Sequence, residues 1–212
     1  MKTDELINAL VADLPMRSLR MAKLFVLAVM GGAAISGAIF FLWIHPRPDF
    51  MQAATTVRFL FKFVVTLLLA GAAFGLLGRL AQPGAPLGLW RVGCFAAPAL
   101  LVLAVVTELL VAPSDSWAAR LIGANAKYCL SLIPLLALAP LVAIFVALRE
   151  GAPTQPRLVG AVAGLAAGGV AAAMYAAHCT DDSPLFVAIW YSIAIGIVTF
   201  VGAAAGPRFL RW

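Results

Sequence analysis

Six long apolar runs, separated by short polar breaks, make up most of this chain. They cover residues 24–44, 59–78, 92–112, 128–148, 158–177 and 185–205. Each has the roughly 17–25 residues a helix needs to cross hydrocarbon, where every backbone N–H and C=O must be satisfied within the segment. The breaks carry turn chemistry: His45-Pro46-Arg47-Pro48, Gln82-Pro83-Gly84-Ala85-Pro86, Pro113-Ser114-Asp115, Gly151-Ala152-Pro153 and Asp181-Asp182-Ser183-Pro184. The fifth run is the weakest, because glycine and alanine lower its hydropathy, yet it holds no charge.

A seventh pattern lies ahead of the first run. Thr3 is an acceptable N-cap, Asp4 and Glu5 fall in the first turn, and Pro15 stands where a helix stops. Leu6, Leu10 and Leu14, with Ile7 and Val11 beside them, form an apolar stripe at helical spacing. The expected fold is therefore all-α: an integral-membrane six-helix bundle with a short N-terminal amphipathic helix. Its parts are an N-terminal segment over 1–23, a six-helix domain over 24–205 and a tail over 206–212. An acidic-headed helix is poorly suited to an anionic lipid surface, where amphipathic helices are typically Lys/Arg-rich. The stripe reads better as a helix laid into a partner's groove, through Asp4, Glu5, Leu6, Ile7, Leu10, Val11 and Leu14. Eleven residues make a helix only about 16 Å long. The basic connections with Arg79, Arg91, Arg149 and Arg157 are therefore expected to share in any stable interface.

Composition narrows the class. The 212 residues are 64% hydrophobic and 11% charged, against about 25% charged for a soluble domain. An ordinary soluble enzyme and a disordered chain are excluded. Three cysteines without a CxxC exclude a disulfide-dense scaffold. The acidic residues Asp4, Glu5 and Asp13, and the length of the first run, argue against a cleaved signal peptide.

The net charge of +6 is mainly an orientation signal. Lys2, Arg17, Arg20, Lys23, Arg79, Arg91, Arg149, Arg157, Arg208 and Arg211 fall on one side of an alternating six-span chain. Arg47, Arg58, Lys62, Arg120 and Lys127 fall on or near the other. The positive-inside rule then places both termini in the cytoplasm. Trp43, Trp90, Trp117 and Trp212 lie near span ends, as interfacial rings do. Direct nucleic-acid binding is not expected, since no basic patch sits on a soluble element.

Within the spans, Lys62 and Glu108 are the ionisable residues. Both fall about one turn below the outer surface, so they are expected to pair there. Gly160, Gly164 and Gly168, continued by Ala172 and Ala176, give one helix a small-residue face, with shorter versions at Gly71/Gly75 and Gly202/Gly206. Packing within the chain is the expected use, and a homodimer face is the alternative.

Topology gives the cysteines meaning that their spacing lacks. Cys129 and Cys179 share the outer side, whereas Cys94 begins the third span on the cytoplasmic side. His178, Asp181 and Asp182 surround the outer pair, with His45 and Asp49 more distant. Three readings stay open: a structural disulfide, two unlinked thiols, and a redox- or metal-responsive pair. In the third, a transient heavy-metal ion would meet Cys129, Cys179 and His178. No resident cofactor and no catalytic residue is expected.

Three stretches resemble one family. They are Met1–Ile7 with Leu10, Val11, Asp13 and Leu14; Cys129 to Pro134 with Ala139-Pro140; and the last third, from Gly160 and Gly164 through Tyr175-Ala-Ala-His178-Cys179-Thr-Asp-Asp182-Ser183-Pro184 and Trp190-Tyr191 to Leu210-Arg211-Trp212. The chain resembles the NrsF family of bacterial membrane anti-sigma factors. That resemblance implies a multi-pass inner-membrane protein that sequesters an extracytoplasmic-function sigma factor and releases it under envelope, oxidant or heavy-metal stress. It also implies that Cys129 and Cys179 are the family's paired cysteines, with His178 and Asp182 beside them in the signal-sensing stretch. Cys94 is not part of the pattern. The rival readings are a small membrane transporter and a membrane thiol-oxidoreductase. Paired broken helices with polar midplane sites would mark the first. An exchange-competent dithiol with a relay or quinone site would mark the second.

Overall fold

The computed structural model describes residues 23–82, 85, 88–149, 151 and 153–210. The proposed partner-binding residues Asp4, Glu5, Leu6, Ile7, Leu10, Val11 and Leu14, and Trp212, lie outside the described residues. Within them every regular element is helical. Six helices are long and apolar enough to cross a membrane: α1 (Lys23–Ile44), α2 (Val57–Leu80), α3 (Gly88–Val111), α4, α5 (Pro156–Ala176) and α6 (Pro184–Phe209). The stretch containing α4 is split at Gly123 into a short helix, Trp117–Ile122, and α4 proper, Ala126–Leu148. The observed bounds depart from the apolar runs by a few residues, mostly where a cap or Pro extends a helix. Thr56 accepts from Phe59 N at the start of α2, and Pro156 stands in the first turn of α5.

The least hydropathic run forms the most buried helix. α5 packs against α6, α2 and α4, and its glycines and alanines are what let those helices come close. A Cβ on Gly160 would collide with Gly202 O, one on Gly164 with Val198 O, and one on Gly206 with Pro156 O. The small-residue faces of α5 and α6 are thus used against each other, inside the chain. Gly75 is likewise covered, by the Trp90 ring, whereas Gly71 faces open space. Trp90 therefore packs on α2 and is not solely an interfacial anchor. α1 and α3 are the least covered helices and present long apolar faces outward.

Pro140 shapes the contact between α1 and α4. Lacking an N–H, it leaves the Leu136 carbonyl without its usual helical donor. Ser36 Oγ donates to that carbonyl at 2.6 Å, from a fully buried position. One turn away, Gly32 lies directly against the Pro140 backbone, where a Cβ would come within 2.7 Å of Pro140 Cα.

The end of α1 is unusual. Phe40–Ile44 forms a π-turn, closed by His45 N donating to Phe40 O at 2.7 Å. His45 itself has φ 63° and ψ 149°, a region that residues with a Cβ rarely enter. Holding it there costs on the order of 1–3 kcal/mol. A second π-turn, Val187–Tyr191, interrupts α6 at the same end of the bundle. Such turns recur at functional sites.

Candidate functional site

Cys129, at the start of α4, and Cys179, just after α5, meet at one end of the bundle. Cys94 lies near the other end, early in α3. All three thiols are free, and Cys129 and Cys179 are completely buried. The two share a hydrogen bond. Tyr175 and Tyr191 close the same pocket, their rings 5.9 Å apart and their buried hydroxyls turned toward the two thiols. The hydrogen bond from Cys129 holds the Cys179 thiol below its ordinary pKa; burial opposes this, and the Lys62 charge adds to it.

The segment from His178 to Leu185 ties this pocket to every neighbouring element. Asp181 Oδ2 accepts from Ala124 N at 3.0 Å, Asn125 N at 2.8 Å and Asn125 Nδ2 at 2.9 Å. A carboxylate from outside α4 thus sits at its N-terminus, where free N–H groups and the helix dipole favour negative charge. Gly123 makes the approach feasible. Its φ is 58°, and a Cβ there would stand 2.5 Å from the Phe186 ring and 2.8 Å from Asp181 Cγ.

Asp182 joins two cations. Lys62 Nζ lies 2.5 Å from Oδ1, and Arg47 Nη1 lies 2.9 Å from Oδ2. Lys62 also donates to Cys179 O at 2.8 Å, and both cations stand over the Phe59 ring. Arg47 grips Asp49 with two bonds of 2.7 Å, which draws the Asp49 carboxyl below its ordinary pKa and lifts the guanidinium above its own.

Glu108 anchors the far end of the segment. Its Oε2 accepts from Ser183 Oγ at 2.7 Å and Leu185 N at 3.3 Å. Its Oε1 faces Arg120 at 3.1 Å and Arg58 at 3.3 Å. The expected Lys62–Glu108 pair is therefore corrected. Both residues are buried at the same end of the bundle, but Lys62 turns to the 178–185 segment, and Arg120 and Arg58 approach Glu108 from the helix ends. A buried charge takes the partners that best offset its lost hydration.

The expected metal set is also revised. His178 Nδ1 lies 2.8 Å from His45 O and does not join the thiols. Among the described residues no group of three or more His, Cys, Asp and Glu side chains is placed to hold a metal ion. Cys129, Cys179 and Asp182 do come together in one neighbourhood, with His178 on its rim. Arg47, Arg58, Arg120, Asn125, Tyr175, Ser183 and Tyr191 were not singled out as site residues. Tyr175, Ser183 and Tyr191 stand in the stretches that carry the family resemblance, and the others lie in or beside the polar breaks.

These features define an all-helical protein with six helices long and apolar enough to cross a membrane and a charge-clasped thiol pocket at one end. The chain belongs to the NrsF family, described as a negative regulator of sigma F, whose match covers residues 10–212. It is 35% identical to the anti-sigma-F factor NrsF of Caulobacter vibrioides and 33% identical to the probable anti-sigma-F factor NrsF of Azospira oryzae. Each likeness spans 100% of both chains. No solved structure matches.

Proposed function

We propose that this protein is a membrane anti-sigma factor of the bacterial inner membrane. It holds an extracytoplasmic-function sigma factor at the cytoplasmic face through residues 1–23 and releases it when Cys129 and Cys179 are modified. The observation that carries the anti-sigma role is the full-length likeness to two anti-sigma-F factors. The thiol pocket supports the sensing role. Two buried, hydrogen-bonded thiols are positioned for joint chemistry. Oxidation joins the sulfurs and passes two electrons to the oxidant with release of two protons; a thiophilic ion displaces the same two protons. The charge pattern supports both termini in the cytoplasm. Ten Lys/Arg fall on the side of the termini and five on or near the thiol side, and it is this Lys/Arg bias that favours the cytoplasm for the termini.

A reporter driven by the cognate sigma factor, combined with pull-down of that factor on the detergent-solubilised protein, tests the reading. Deleting residues 2–15 should abolish retention and raise the reporter. Cys129→Ser/Cys179→Ser should retain the factor and ignore the inducer. Retention without residues 2–15 would refute the proposed grip, and unchanged induction in the double serine variant would refute the sensor.

A further inference from the structure

α1 begins at Lys23, next in the chain after residues 1–22, and it is fastened by the two elements that carry the thiols. Its middle is held by α4, the helix of Cys129, through Ser36 Oγ on Leu136 O at 2.6 Å and Gly32 against Pro140. Its end is held by the segment of Cys179. Arg47 N donates to Ala177 O at 3.0 Å, and His178 Nδ1 meets His45 O at 2.8 Å. Arg47 Nη1 reaches Asp182 at 2.9 Å and Cys179 O at 3.4 Å. Beyond these bonds α1 packs through Phe40, Phe25, Val29, Ile39 and Ile44, while just over half of its residues are exposed; the polar fastenings are the contacts that tie it to the two thiol-bearing elements in particular. His45, held at positive φ between these fastenings, stores backbone strain that only intact contacts maintain.

We infer that α1 is the output element of the thiol pocket, and that Ser36 and Arg47 are the positioning residues that convert a shift between Cys129 and Cys179 into movement of α1. This rests on the proposed anti-sigma reading, and it names the route that reading requires. Any change in the sulfur separation moves α4 relative to the 178–182 segment. α1 is bonded to both, so it cannot keep both sets of contacts. Pro140 sharpens the response. The Leu136 carbonyl has no donor from its own helix, so loss of Ser36 leaves it buried and unpaired.

The test uses the full-length chain in its native membrane, with the sigma-dependent reporter and partner retained per inserted chain. Ser36→Ala removes the hydroxyl. Arg47→Lys keeps a cation but loses the fork that spans Asp49, Asp182 and Cys179 O. Each should raise the uninduced reporter roughly five- to thirtyfold, the effect of one lost buried contact. Each should do so equally with Cys129 and Cys179 replaced by serine, because α1 lies downstream of the thiols. Normal repression and normal induction in both variants would overturn the inference. If Ser36→Ala lowers insertion, Arg47→Lys, at the edge of the bundle, decides alone. An Arg47→Lys effect that vanishes in the serine background would also overturn it, by placing Arg47 upstream. The cysteine double variant alone tests the sensing reading, so the two can fail separately.

Discussion

Lys62 is completely buried, and its ammonium is compensated by the Asp182 carboxylate, the Cys179 carbonyl and the Phe59 ring. Removing one member of a buried pair costs up to about 3–5 kcal/mol, and less where, as here, Arg47 still faces Asp182 once Lys62 is gone. Lys62→Met should therefore lower the unfolding midpoint in detergent. Combining it with Asp182→Asn should recover part of that loss, whereas Glu108→Gln should add to it. A double-mutant cycle with larger coupling to Glu108 than to Asp182 would contradict the observed pairing. Cys179 offers a titration. Its thiol is held down first by the Cys129 hydrogen bond and then by Lys62. Thiolate should thus form at lower pH than for an ordinary thiol near about 8.5. The rate of Cys179 alkylation by a small reagent, followed site by site in the mass spectrum, should rise to its plateau at correspondingly low pH. Cys129→Ala should move that rise upward, and Lys62→Met should do the same less strongly.

At the scale of elements, α5 and α6 are joined nearly backbone to backbone, through Gly160, Gly164, Gly202 and Gly206. Hydrocarbon supplies no hydrophobic drive between helices, so close packing must supply the attraction. A side chain on Gly202 meets the Gly160 carbonyl and cannot be accommodated by a rotamer change. Gly202→Val should destabilise the bundle by about 1–3 kcal/mol, the usual cost of overpacking, read as a lower midpoint in detergent. Gly71→Val, at an open position, should leave the midpoint nearly unchanged. The opposite sign is expected at His45. Its side chain is exposed and the bond to His178 uses its carbonyl, so His45→Gly removes strain without removing a contact. That variant should match or exceed the parent midpoint.

For the molecule as a whole, orientation is the decisive prediction. With native cysteines replaced, a cysteine at Lys127 should react with a membrane-impermeant maleimide from the outside of intact cells, and one at Arg149 only after lysis. The reverse pattern would invert the topology and place the thiol pocket in the reducing compartment. The six helices were legible because an apolar run near 20 residues is a local property, readable without knowing any neighbour. The intramolecular use of Gly160 and Gly164 was legible for a similar reason, since a small-residue face has few uses. The gathering of Cys129, Cys179 and Asp182 followed from counting spans. The partners of Lys62 and Glu108 did not follow. Asp182 and Arg120 sit in breaks, and which break folds over which helix is decided by contacts between residues far apart in sequence. The hydrogen bond from Ser36 to Leu136 O was hidden for the same reason, although Pro140 announced a carbonyl in need of a donor.

The fastening of α1 also bears on how the chain is made. The helix that leaves the ribosome first waits for a carbonyl 100 positions later, and its Arg47 waits for a carboxylate 135 positions later. At about 5–20 residues per second, that wait lasts roughly 7–27 s. During synthesis the first helix and the residues ahead of it are complete before its restraints have been made. A nascent or truncated chain is therefore in the same unfastened condition as a chain whose clasp has been opened. On the proposed anti-sigma reading, the capacity to restrain a partner is expected only once the last third of the protein has been added.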